Sequence, residues 1–150
     1  MQRSISNKKP LRYLLYLSAY ILYSSLGSIY PILPPLLAVL FALYSSAMQK
    51  ENIYALSFVL ISLLVFEANY GFLLFSSIIY FYILYKLIMP KIRQIISCDI
   101  CIRFLYVLLT YLGYFLFLVL LSNIFLLEMP SFNYYIIYYI IIEFFLVSLL

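Results

Sequence analysis

Residues 30–44 read YPILPPLLAVLFALY: three prolines (Pro31, Pro34 and Pro35) within five residues, then an unbroken apolar run. Proline removes a backbone donor and its ring clashes with the preceding turn, so such a cluster cannot lie inside a helix. The apolar runs on either side of it are therefore two helices meeting at a corner. Proline is well placed in a first helical turn, where its missing N–H has no partner in any case. The residue before a proline is pushed extended, so Tyr30 and Leu33 are expected to be non-helical. The expectation is a rigid apolar corner with the prolines at the start of the second helix, held against protein or lipid.

Composition fixes the class. Of 150 residues, 68% are hydrophobic and only 9% charged, and the mean hydropathy is +1.14. A soluble domain carries about 25% charged residues, so there is too little polar surface here to cover a water-soluble globule. Apolar runs long enough to cross ~30 Å of hydrocarbon, roughly 20 residues each, are read along the whole length. The fold class predicted is an all-α polytopic membrane helix bundle, with residues 1–150 as one integral membrane domain. Six spans are expected, at about 11–30, 32–48, 53–66, 70–89, 104–127 and 134–150. The third is short: 14 residues rise only about 21 Å. Two crossings are favoured over a shallow hairpin for residues 53–88, with Lys50 snorkelling to the interface. The connectors, QKEN (49–52), EAN (67–69), PKIRQIISCDICIR (90–103) and EMPSFN (128–133), leave no room for a soluble domain.

The charge pattern orients the bundle. Cytoplasmic loops concentrate Lys and Arg. Arg3, Lys8, Lys9 and Arg12 precede the first span, Lys50 follows the second, and Lys86, Lys91, Arg93 and Arg103 flank the connector after the fourth. With six spans all nine basic residues fall on one side, giving an N-in, C-in topology. The net charge of +4 is thereby a topology signal. Nucleic-acid binding would need a basic stripe on a solvated face, and none is expected. The basic, then apolar, then small-residue start has the outline of a signal peptide, but removing it would leave an odd number of spans and a worse charge balance, so it is read as the first helix.

Ionisable residues within apolar runs are functional candidates because they are costly unless paired or hydrated. Glu143, in YYIIIEFFLVSLL, is the deepest, with Tyr139 one turn before it and placed to donate a hydrogen bond. It is either a partner contact or proton site, or a protonated glutamic acid satisfied inside the bundle. Glu67 and Asn69, in VFEANYGF with Gly71 behind them, are partner-binding or buried polar candidates, or an ordinary polar turn. Asn123 is expected to bond a neighbouring helix, and Ala38, Ala42 and Ser46 form a small-residue stripe for close helix packing. Cys98 and Cys101, in CDIC, supply half of a zinc site with no histidine to complete it; a redox role would normally need a thioredoxin-like βαβ context, and the plainer reading is two free thiols at the membrane surface. Tyrosine is abundant (18), and a compositional bias explains that as well as function does. No metal site, cofactor or catalytic motif is expected, and the chain is not predicted to be an enzyme.

Two stretches resemble MreD, the small membrane component of the bacterial rod-shape machinery. PILPPLLAVLFALY (31–44) is similar to that family's proline-rich entry to its second span. FEANYGFLLFSSIIYFYI (66–83) is similar to its acidic residue, short spacer, glycine and following helix, with Glu67 standing for the usual aspartate and Gly71 for the glycine. The likeness covers roughly residues 11–88 and departs from the family in having few glycines before Glu67. It implies a non-catalytic scaffold in the bacterial inner (cytoplasmic) membrane. Its partners would be an MreC-like protein and the elongation transpeptidase of peptidoglycan synthesis. The alternatives are a small substrate-capturing subunit of a membrane transporter, a holin-like pore former, and a multi-pass membrane protein of another class.

Overall fold

The structure, a computed structural model, describes residues 8–131 and 133–150. Arg3, counted in the basic set, lies outside these residues, as do the side chains of Lys8 and Lys9. The described chain is all helical, with six helices and no strand. They are α1 (Lys8–Ile29), α2 (Leu37–Gln49), α3 (Ile53–Tyr70), α4 (residues 76–95), α5 (Asp99–Phe125) and α6 (Tyr135–Leu149). Two of them, α3 and α5, are long and apolar enough to cross a membrane.

Of the boundaries that differ from the sequence expectation, three have a clear local reason. Helix α2 begins at Leu37, so the prolines precede it rather than forming its first turn. Residues 30–36 are instead non-helical, and they start with a turn in which the Leu33 N–H donates to the Tyr30 carbonyl at 3.1 Å. Helix α3 runs four residues beyond the expected Phe66, to Tyr70, so its 18 residues rise about 27 Å. The Asn52 side chain accepts the Ala55 N–H at its start, and Gly71, at φ 68°, turns the chain out at its end. The connector expected over 90–103 shrinks to residues 96–98, because α4 continues through Pro90 to Ile95. A widened π turn over Leu84–Ile88 ends two residues before that proline. It loosens the hydrogen-bond ladder where the ring would clash and where its missing N–H would leave a gap.

A second π turn, Leu109–Gly113, interrupts α5 and is filled by α4. The Tyr80 hydroxyl donates to the Leu109 carbonyl at 2.6 Å, and its oxygen lies where a Cβ on Gly113 would have to go. The core gathers at this crossing, with Phe41, Leu63, Phe81, Leu84 and Val107 fully buried. Phe41 packs edge-on to both Phe81 and Tyr106. Outward faces are just as apolar: Leu15 and Leu22 on α1, Leu116 and Leu120 on α5, and Ile137 and Ile141 on α6 are all exposed.

The connectors gather at two ends. Pro31 and Pro35, Gly71 and Phe72, and Leu127 and Glu128, from three different connectors, line a common cavity at one of them. At the other end Asn52 donates to Tyr13 at 3.2 Å, Arg93 donates twice to the Tyr106 hydroxyl, and Arg103 donates to the Ser148 carbonyl at 3.1 Å. Lys50, Lys91, Arg93 and Arg103 belong to this second end.

Gly113→Ala is expected to destabilise the bundle by about 1–3 kcal/mol, the usual cost of overpacking. Thermal unfolding in detergent would measure it. Because the nearest atom is the Tyr80 oxygen, adding Tyr80→Phe should recover part of that loss. Strict additivity of the two changes would show that the close approach is not the cause.

Candidate functional site: two buried carboxylates that close helix N-termini

Helix α2 starts with nothing in its own sequence to cap it. Its N-cap is Leu36, in the left-handed region at φ 58° and without a side-chain acceptor. Capping positions normally supply a Ser, Thr, Asp or Asn oxygen, because the first amides of a helix have no partner within it. Here the acceptor comes from the other end of the sequence. Glu143 of α6, fully buried, accepts the N–H of Leu37 at 3.2 Å, Ala38 at 2.6 Å and Val39 at 3.4 Å. The Tyr111 hydroxyl, projecting from the π turn of α5, donates to the same carboxyl group. Four donors therefore bond its two oxygens. The helix dipole adds attraction, since it leaves partial positive charge at the α2 N-terminus.

Glu143 lies in the middle of α6, so α2 begins at mid-depth and the preceding chain must descend to reach it. Residues 33–35 run down beside α1. Leu33 lies against Gly27, Pro34 opposite Tyr23 and Pro35 opposite Tyr20. The carbonyls along this segment have no helical donors. Tyrosines supply them: Tyr23 donates to Pro34 at 2.7 Å, Tyr20 reaches Pro35 at 3.5 Å, and Tyr139 donates to Pro31. Tyr139 is thus not the partner of Glu143 that its one-turn spacing suggested. It faces the proline corner, and Tyr111 takes the place expected for it. A compositional reading of the tyrosines misses their specific work here.

Glu67 repeats the device at α4. It is fully buried in the last turn of α3, so of the two readings left open the ordinary polar turn does not hold. Helix α4 also starts after a left-handed residue without a capping side chain, Phe75 at φ 68°. Glu67 accepts the Phe75 N–H at 2.7 Å and the Ser77 N–H at 2.6 Å, together with the hydroxyls of Ser76 and Ser77. Ser76 also meets the Tyr114 hydroxyl at 3.1 Å. Gly71 provides the backbone reversal that brings residues 75–77 back over Glu67, and both its N–H and that of Phe72 bond the Glu67 carbonyl. Half-buried Asn69 donates to Ser24 at 2.8 Å, tying α3 to α1.

The other candidates are scattered. Ala38 is buried at the α2 start, while Ala42 and Ser46 are half-buried, and Ser46 lines a crevice toward Tyr13 and Phe58. Asn123 is exposed; it is the adjacent Ser122 that is buried, bonding the Val119 carbonyl within its own helix. Cys98 and Cys101, expected to be free, are joined as a disulfide. Between the proline corner, the Gly71 turn and the α5–α6 connector lies a cavity of about 840 Å³, walled by Tyr70, Phe72, Tyr111 and Tyr114 with Glu128 at its rim. Every buried side-chain polar atom among the described residues has a partner. Sequence inspection missed Tyr111, Ser76, Ser77 and Tyr80. The available signal was negative: a helix start at Leu36–Leu37 lacking any capping residue calls for an acceptor from elsewhere.

Glu143→Ala strands three buried amides and is expected to destabilise the protein by at least about 3 kcal/mol, since each unmet buried donor costs about 1–3 kcal/mol. Glu143→Gln, which keeps one acceptor oxygen, should lose less, and Tyr111→Phe only about 1 kcal/mol. Unfolding in mixed micelles would rank the three, and equal losses for Gln and Ala would contradict the capping role.

No family model, curated protein or solved structure matches the chain.

Proposed function

We propose that this chain is a six-span, N-in, C-in protein of the bacterial inner membrane. It acts as a non-catalytic scaffold of the MreD kind, holding an MreC-like protein and the elongation transpeptidase of peptidoglycan synthesis. The observation that carries this reading is the commitment of both buried carboxylates to the chain's own helix ends. In transporters built on broken helices, a half-helix N-terminus near mid-membrane points at an anionic substrate group. Here that position is filled by Glu143, and the equivalent place on α4 by Glu67. The other three acidic residues, Glu51, Asp99 and Glu128, are exposed. A rigid, internally satisfied bundle suits a platform.

Further support comes from where the resemblance falls. Its two stretches, 31–44 and 66–83, are the two that enter α2 and α4 through a left-handed residue onto a buried glutamate. The exposed apolar faces suit a bilayer, and the separation of basic and proline-bearing ends suits the positive-inside orientation. The extended segment 33–35 is irregular backbone of the sort tolerated at membrane depth only when buried against protein. The runner-up, a substrate-capturing transporter subunit, draws on the cavity of about 840 Å³, within the roughly 300–1,000 Å³ range of small-molecule sites.

A detergent pull-down from the native host, with the tag on the N-terminus, separates the two. The expected result is recovery of an MreC-like protein or the elongation transpeptidase, with depletion of the chain rounding the cells while nutrient uptake stays normal. Recovery of an ATPase pair with a coupling subunit, and lost uptake in cells of normal shape, would replace the scaffold with the transporter.

A further inference from the structure

We propose that Cys98 and Cys101 form a reversible thiol–disulfide site on the basic face of the bundle, one that exchanges with low-molecular-weight disulfides. The two sulfurs are bonded, the Cα atoms are 5.2 Å apart, and both residues are exposed. That separation lies within the range a disulfide spans without backbone movement. The bond joins residues three apart at the first turn of α5, so it ties no two elements of the fold together. Arg93 and Arg103, which hold Tyr106 and Ser148, already fasten this end of the bundle. A structural staple here would have nothing to hold.

The inference rests on the proposed orientation, which places the pair on the cytoplasmic side. Thiols are kept reduced there, and the disulfides that do form are transient, catalytic or redox-sensing. The local setting favours exchange. Cys98 is the N-cap of α5, and its sulfur accepts the Cys101 N–H at 3.3 Å. A thiolate at a helix N-terminus is stabilised by the amides it faces. Lys91, Arg93 and Arg103 lie in the same stretch, while Asp99, between the cysteines, opposes them.

Cys98 is therefore the attacking thiolate. Having lost its proton to solvent, it attacks one sulfur of the small disulfide, forming a mixed disulfide and expelling one thiolate. The Cys101 thiolate then attacks the Cys98 sulfur and expels the second. The protein loses two electrons and two protons, and the small disulfide is reduced to two thiols. Reduction runs the same steps in reverse.

The test uses the full chain in lipid nanodiscs, equilibrated with defined ratios of reduced to oxidised glutathione, quenched in acid and tagged with a maleimide of high mass. Both thiols should disappear together over ratios that span those of a reducing cytosol. Cys101→Ser should trap one glutathione on Cys98, and Cys98→Ser should form its adduct more slowly. Two thiols that stay free at every ratio, or a bond that survives millimolar reduced glutathione, would overturn the proposal. Sidedness is read separately, with a membrane-impermeant maleimide applied after reduction. Labelling in inverted vesicles but not in intact cells is expected. Labelling from outside would overturn both the orientation and this site, whereas inside labelling with a failed glutathione titration would overturn the site alone.

Discussion

A carboxylate on one helix satisfying the first amides of another is the interaction on which this bundle depends. A helix N-terminus inside an apolar assembly has no water to bond its leading N–H groups. Leu36 and Phe75 cannot cap, and both adopt left-handed backbone, which costs a non-glycine residue about 1–2 kcal/mol. Glu143 and Glu67 offset that cost by accepting two or three amides each. In return the amides and hydroxyls satisfy two buried carboxyl groups whose oxygens apolar surroundings would otherwise leave unbonded.

The rest of the corner end follows from this. Because α2 starts at the depth of Glu143, the preceding segment must be extended and must have its carbonyls bonded by something other than a helix. Prolines suit it, since they bring acceptors but no extra donors to satisfy. Tyrosine suits their partners, since its hydroxyl stands at the end of a large apolar ring that packs in the same surroundings. The π turns serve the same ends in the long helices: one accommodates Pro90, while the other frees the Leu109 carbonyl for Tyr80 and carries Tyr111 toward Glu143.

Much of this was legible in the residues. The helical class, the six apolar segments and the corner at Pro31–Pro35 follow from composition and breakers, and Glu143 stood out as an ionisable group within an apolar run. Other parts were not legible. Glu67 left two readings open, a buried polar group or an ordinary turn, because EANYG is polar and ends in glycine; its helix persists one turn further and buries it. Tyr139 was paired with Glu143 on helical spacing, but long-range geometry gave that role to Tyr111, 32 residues away. Pro90 looked like a stop because sequence alone does not reveal a π turn before it. Each failure concerns a contact fixed by tertiary packing rather than by local periodicity.

The reach of the Glu143 clamp has a consequence for the order of assembly. Its carboxylate and the Ala38 amide are 105 residues apart in the chain. At a synthesis rate of about 5–20 residues per second, the start of α2 exists for roughly 5–20 s before its capping group is made. During that interval the proline segment can bond Tyr20 and Tyr23, which precede it, but the first amides of α2 lack the acceptor that they have in the finished fold. The start of α2 is therefore capped only after α6 has been made, and α6 acts as the latch for the proline corner.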